Sequence, residues 1–236
     1  MRRASAIEAE QVAATLLKNG LKMTRTHLPG ILAMAAIVVA SNILVQFLIL
    51  DGLLTWGAFT YPLAFLVTDV MNRVYGVASA RKVVLAGFVT GIVCSLIGSQ
   101  IMLQGDGYTY AAVPLRIAVA SGTAFLLAQL TDVAVFNRFR NGTWWRAPLM
   151  STLVGSALDT TLFFTIAFAA SVTVFGPSAD AAVNWAWDAV PFMNVGPLVP
   201  LWVTLAFADW LVKLSLALLA LVPFRIIVGK LSTRTT

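Results

Sequence analysis

Residues 28–50 read LPGILAMAAIVVASNILVQFLIL, twenty-three consecutive positions without an Asp, Glu, Lys or Arg. A helix crosses the hydrocarbon core of a bilayer with about 20 mainly apolar residues, so this stretch is long enough to span. It is too long, too far from the N-terminus and too poor in cleavage-site residues to read as a signal peptide. By the same measure, apolar runs follow near 56–76, 82–104, 111–136, 147–174 and 197–223. The expected fold is an all-α integral membrane protein, a bundle of six transmembrane helices over residues 28–228. Residues 1–27 are expected as a cytoplasmic N-terminal segment and 229–236 as a cytoplasmic tail.

Composition agrees. Only 11% of the 236 residues are charged and 59% are hydrophobic, against about 25% charged in a soluble domain. The mean hydropathy is +0.87. Too little polar surface is available to coat a globule in water, so membrane lipid is the expected surroundings. One cysteine, Cys94, and one histidine, His27, leave no internal disulfide and no zinc or haem site. No metal and no cofactor are expected. The basic residues are scattered through short connections rather than gathered on a face, so nucleic acid is not an expected partner.

The connections carry the orientation. Arg2, Arg3, Lys18, Lys22 and Arg25 precede the first run; Arg73, Arg81 and Lys82 flank the second turn. Arg138, Arg140 and Arg146 lie between the fourth and fifth runs, and Arg225, Lys230 and Arg234 follow the sixth. The alternate connections, 51–55, 105–110 and 175–196, contain no Lys or Arg and hold Asp51, Asp106, Asp180 and Asp188. Fourteen of sixteen basic residues therefore fall on one side, which the positive-inside rule makes cytoplasmic. Both termini are expected inside. Within 5–22, Ile7, Val12, Leu16 and Leu17 at helical spacing read as an interfacial helix or a partly ordered tail. In the long outer loop, Trp185 and Trp187 read as interfacial anchors or as part of a lid.

Intramembrane acids cost roughly 2.5–3.5 kcal/mol each on insertion scales and mark candidate sites. There are four, each on a different run: Asp69, Asp132, Asp159 and Asp209. Asn42 and Gln46 in the first run, Asn72 in the second, Gln100 in the third and Gln129 in the fourth can hydrogen-bond beside them. Four such acids in one small bundle point to a polar cavity, and hence to a transporter rather than a passive anchor. Asp69 and Arg73, and Asp209 and Lys213, stand four residues apart and can pair on one helix face. Arg73 can instead snorkel to headgroups. Lys213 lies deeper and is read as an ion-pair or coupling partner, either of Asp209 or of a group across the bundle. Arg116, one turn inside the outer boundary, is expected to snorkel outward. Asp132 and Asp159 have no cation at helical spacing. Small residues at Ala36 and Ala40, and at Gly87, Gly91 and Gly98, permit close helix approach. Metalloprotease, nucleophile-elbow and nucleotide-binding motifs are absent, so no enzyme activity is expected.

Leu66-Val67-Thr68-Asp69-Val70 is echoed by Gln129-Leu130-Thr131-Asp132-Val133, a weak sign of two equivalent acids facing one cavity. Thr68-Asp69-Val70-Met71-Asn72, Tyr75-Gly76, Ala80-Arg81-Lys82-Val83-Val84 and Gly87-Phe88 resemble the signature of the bacterial queuosine precursor transporter family, in the vitamin uptake transporter group. Gln129 to Val133 with Phe136, Ser151 to Val154, Leu158-Asp159-Thr160, Phe163 to Phe168, Lys213 and Pro223 extend the resemblance over about residues 30–228. It departs at Arg73, where the family often has Glu, and at Gly155-Ser156, where it has Ser-Gln.

The resemblance implies import of 7-cyano- or 7-aminomethyl-7-deazaguanine across the inner membrane. A carboxylate can accept two hydrogen bonds from the ring N–H and exocyclic amine of such a purine-like edge, while an amide donates to its carbonyl. Asp69, Asp132 and Asp159 are the expected polar core, with Asn72 and Gln129 beside them and Asn42 or Gln46 from the first run. Tyr75 and Phe163 are candidates to stack on the base. Two mechanisms fit: a single-component secondary transporter or facilitator, and the substrate-binding subunit of an energy-coupling-factor transporter. The energy source, the oligomeric state (a homo-oligomer included) and the preferred base are not legible in the chain.

Overall fold

The computed structural model describes residues 27–44, 47–49, 54–105 and 108–235. The expectation for residues 5–22 and the candidate Gln46 lie outside them. Five helices are long and apolar enough to cross a membrane: α1 (His27–Leu44), α4 (Val77–Gln100), α5 (Leu115–Phe139), α6 (Arg146–Phe168) and α8 (Leu201–Thr235). The second expected span is built differently. It is a broken helix, α2 (Gly57–Thr60) followed by α3 (Leu63–Tyr75), with Tyr61 and Pro62 between. Pro62 has no N–H to continue a helical ladder from α2, which accounts for an interruption within an otherwise apolar run.

Alternate connections have opposite characters. Gly76 alone separates α3 from α4, at φ 86°, a conformation that glycine adopts without steric cost. Residues 140–145 join α5 to α6. At the other end of the bundle each connection contains an antiparallel hairpin: β1 (Leu48–Ile49) with β2 (Leu54–Thr55), β3 (Met102–Gly105) with β4 (Tyr108–Ala111), and β5 (Ala189–Pro191) with β6 (Leu198–Pro200). The acidic, Lys- and Arg-free connections of the sequence are thus the hairpin ends. In the last of them, α7 (Pro177–Ala181) precedes β5. The first apolar run also ends early, because its last residues enter β1 rather than extend α1. The sixth runs on as helix to Thr235, through the expected tail.

The outward faces are apolar. Leu85, Val89, Val93, Leu96 and Ile97 on α4, and Leu218, Leu219 and Val222 on α8, are each about half exposed or more. Such surfaces are stable against acyl chains rather than water. Packing within the bundle runs through small residues. α5 and α6 form the most extensive helix pair, and Gly155 on α6 sits against Asp132, Ala128 and Phe65. Gly87 on α4 receives Met34 of α1 and Phe125 of α5, and Gly98 receives Val113. Ala36, by contrast, is exposed; α1 turns Met34, Val38 and Ser41 inward instead.

A Cβ at position 155 would lie 2.8 Å from the Phe65 ring and 3.3 Å from Asp132 Cβ. Gly155→Leu is therefore expected to cost at least about 1–3 kcal/mol by overpacking, read as a lowered melting temperature of the detergent-solubilised protein. Gly91→Ala, whose new methyl meets nothing closer than 3.7 Å, should leave that temperature nearly unchanged.

Candidate functional site

One face of α6 organises the polar interior. Ser151, Thr152, Gly155, Ser156, Asp159 and Thr160 recur at intervals of one, three and four residues, which places them along a single helical stripe. All six are buried. The stripe meets α3 and α5 at one level and α8 at another, about one to two turns away.

At the first level, Ser151 Oγ donates to Asp69 Oδ1 at 2.9 Å and Thr152 Oγ1 to Oδ2 at 3.4 Å. Asp69 thus has a hydroxyl for each oxygen. Asp132, on α5, lies close enough to Asp69 for the two carboxyls to interact. Both of its own oxygens are buried and, among the described residues, lie against the Asp69 carboxyl and the Ser151 hydroxyl without a well-formed hydrogen bond from either. One turn earlier on α5, the Gln129 carbonyl oxygen faces Thr68 Oγ1 at 2.6 Å, while its amide nitrogen has no partner. Whichever way that amide is turned, one polar atom meets Thr68 and the other is left over. Unpaired buried polar groups cost about 1–3 kcal/mol each. Three such atoms on adjacent turns of α5 make Gln129 and Asp132 the candidate binding edge.

At the second level, Lys213 Nζ of α8 lies 2.7 Å from Asp159 Oδ2, 2.5 Å from Asp209 Oδ2 and 3.0 Å from Thr160 Oγ1. Thr160 Oγ1 donates to Asp209 Oδ2 at 2.8 Å, and the Tyr61 hydroxyl donates to Asp159 Oδ1 at 3.3 Å. The pair four residues apart on α8 is therefore present. The cation that Asp159 lacks at helical spacing comes from across the bundle.

The remaining candidates are scattered. Asn72 donates to Val133 O at 3.1 Å and so ties α3 to α5. Its own carbonyl accepts from Arg140, whose other terminal nitrogen donates to Arg73 O; Arg73 donates back to Arg140 O at 2.7 Å. These two arginines lock the ends of α3 and α5 together, so Arg73 is engaged rather than free to snorkel. Tyr75 stacks near His27, with ring centroids 6.3 Å apart, away from the acids. Phe163 belongs to an aromatic cluster with Phe164 and Phe168. Asn42 donates to Val38 O and lines a cavity of about 500 Å³ between α1, α4 and α5, which Tyr61, Phe88 and Phe125 also border. Beside Asp69 there is only a void of about 20 Å³, room for one water.

Arg116 corrects the sequence reading. It does not snorkel: its side chain is fully buried, with Nη1 2.6 Å from Asp180 Oδ1 of α7 and further bonds to Ile166 O and Ala169 O. It fastens the connection between α6 and α8 to the ends of α5 and α6. Trp187 adds a bond from Nε1 to Phe168 O at 2.6 Å, while Val183 and Ala186 pack on Phe164 and Phe168. Tyr61 escaped the sequence reading, and Thr68, Ser151, Thr152, Thr160 and Arg140 entered it only as motif or topology residues, not as site candidates. The periodic small and polar stripe on α6 was the signal that could have found three of them.

The family described as "Putative vitamin uptake transporter" matches residues 55–228 of the chain. The "Queuosine precursor transporter" of Escherichia coli (strain K12) is 39% identical over 158 residues, covering 63% of this chain and 69% of that protein. The "Probable queuosine precursor transporter" of Haemophilus influenzae is 37% identical over 176 residues, 72% of this chain and 66% of that one. A Bacillus subtilis protein of the same description is 31% identical over 128 residues, covering 48% and 56%. No solved structure matches the chain.

Removing the single cation of the second level leaves two carboxyls buried without it. Lys213→Met is therefore expected to destabilise the protein by about 3–5 kcal/mol, seen as loss of monodisperse protein on extraction. The double substitution Lys213→Met with Asp159→Asn should recover part of that loss.

Proposed function

The chain belongs to the vitamin uptake transporter family, and we propose that it imports queuosine precursors, 7-cyano- or 7-aminomethyl-7-deazaguanine, across the bacterial inner membrane. The observation that carries the reading is the unpartnered edge on α5. The two oxygens of Asp132, which have only the Asp69 carboxyl and the Ser151 hydroxyl beside them, suit the ring N–H and exocyclic amine of a guanine-like base, and the free end of Gln129 suits its carbonyl. Two parallel bonds to one carboxylate also discriminate against bases that lack this donor pair, since those would leave a buried acceptor unpaired.

The present arrangement has no room for a bicyclic base at that edge, so binding requires the surrounding helices to separate. α3 is the element suited to move. It is short, interrupted at Tyr61–Pro62 and turned at Gly76, and breaks of this kind absorb changes in backbone angle. The arginine pair that ties α3 to α5 lies at the end facing the basic connections, and Arg116 with Asp180 closes the opposite end. With both termini cytoplasmic, these form an inner and an outer closure, and alternating access follows from releasing one at a time. Transport is by the single chain, as a secondary transporter or facilitator.

Asp132→Asn keeps the shape of the side chain but replaces one acceptor by a donor facing the cargo's own donors. Uptake of labelled precursor by cells unable to make it is expected to fall at least about 100-fold, as for a buried, charge-assisted pair. Flux of the same compound into liposomes that contain only this chain tests the single-component reading. Flux that appears only with a co-purified ATPase module would overturn it.

A further inference from the structure

The end of the bundle that carries the basic connections has cations and no acids to meet them. Residues 70–105, 133–158 and 210–236, which supply that end, contain no Asp or Glu. The ion pairs among the described residues use Arg116 and Lys213, and no cation from this end. Arg73 and Arg140 spend their N–H groups on backbone oxygens of α3 and α5. Arg146 and Arg225 do not do even that: their side chains are exposed and make no hydrogen bond or ion pair among the described residues.

Both guanidiniums are nevertheless held in place. That of Arg146 lies 5.2 Å from the centroid of the Phe139 ring, and that of Arg225 lies 4.8 Å from that of Trp144. A guanidinium resting on a ring is positioned by it, while its N–H fork stays free for an anion. The two border the same turn, residues 140–145. Arg225 reaches it from α8, and the Arg146 side chain folds back over Gly142 at the start of α6. Phe136, Phe139, Ala147 and Phe224 pack together next to it and join α5, α6 and α8. Trp144 and Trp145 are 41% and 42% exposed. Apolar packing, half-exposed indoles and unpaired cations in succession match the layers of a bilayer surface. The anion found at that level beside a membrane helix is a lipid phosphate. A free phosphate would satisfy the cations and leave the two indoles without a partner.

We propose that Arg146 and Arg225 form a site for the phosphodiester headgroup of an anionic phospholipid, with the glycerol and upper acyl chains of that lipid against Trp144 and Trp145. The headgroup then bridges α6 and α8 at the end where Arg73 and Arg140 bridge α3 and α5. Deeper in the bundle the same two helices are tied by Lys213 to Asp159 and by Thr160 to Asp209. The lipid is a structural ligand of the bundle, and the site shares no residue with the edge assigned to the cargo.

The test is a melting measurement on the full chain in uncharged detergent, titrated with phosphatidylglycerol or with phosphatidylcholine. Phosphatidylglycerol is expected to raise the melting temperature by about 3 °C or more, and phosphatidylcholine to leave it unchanged. Arg146→Gln with Arg225→Gln should abolish the rise. Arg81→Gln with Lys82→Gln removes the same charge from exposed positions of α4 at the same end and should keep it. An equal rise in the wild type and the Arg146/Arg225 variant overturns the proposal. So does an equal loss in both variants, since bulk surface charge would then explain the effect. An equal rise with inorganic phosphate overturns the assignment to a lipid. The chain's two glutamates, Glu8 and Glu10, lie outside the described residues. If phosphatidylglycerol has no effect and Glu8→Gln with Glu10→Gln lowers the melting temperature, the cations serve the N-terminal segment and the proposal fails. Lipid retained by the wild type on extraction from mixed vesicles gives a second readout that needs no variant. Phosphatidylglycerol should be enriched about tenfold over phosphatidylcholine, and no enrichment overturns the site.

Discussion

A carboxyl group inside a bilayer must find its partners within the protein, because lipid offers none. Much of this bundle can be understood as the set of arrangements that meets that requirement. Asp69 is held by two hydroxyls of α6. Asp159 and Asp209 share Lys213, with Thr160 donating to Asp209 and Tyr61 to Asp159. The small and polar stripe on α6 supplies one side of both, and its Gly155 lets α5 come close enough to bring Asp132 alongside. With α6 as the common wall, α3, α5 and α8 are fixed around it by their acids as well as by their apolar faces.

The exceptions to that rule are informative. Asp132 has only the Asp69 carboxyl and the Ser151 hydroxyl beside it, and the Gln129 amide nitrogen has no partner among the described residues. Groups left in this condition raise the energy of the closed bundle and favour whatever partner can complete them. Binding would then compensate deficits already built into the helices, which leaves the cargo's contacts free to drive separation of α3 from its neighbours. Arginines at both ends of the bundle, Arg140 with Arg73 and Arg116 with Asp180, give that separation something specific to break.

Part of the site was readable from the chain. Intramembrane acids are rare enough that Asp69, Asp132, Asp159 and Asp209 stand out without any structure, and the spacing of Asp209 and Lys213 announces a pair. The hydroxyls that serve the acids do not stand out, because Ser and Thr are common in membrane helices and their roles depend on which neighbour they face. Arg116 misled for a similar reason. Position along a helix says how far a cation is from the boundary, but not that Asp180, sixty-four residues away, reaches in to meet it. Tyr75 and Phe163 were chosen as aromatics near the acids in sequence, and both turned toward other rings.

The sequence by itself determined the membrane as solvent, the apolar runs and the division of connections into basic and acidic sets. Those properties follow from composition summed over twenty or so residues, and no tertiary contact can reverse them. Even in the twenty-three-residue run at 28–50, Leu48 and Ile49 pair in β1, because the length of an apolar run says that it can be buried and not where its hydrogen bonds go. The tertiary structure alone decided that Asp159 would take its cation from α8 and that Asp132 would be buried against Asp69 of α3. Each depends on which helix faces which, a question settled by packing between elements far apart in the chain.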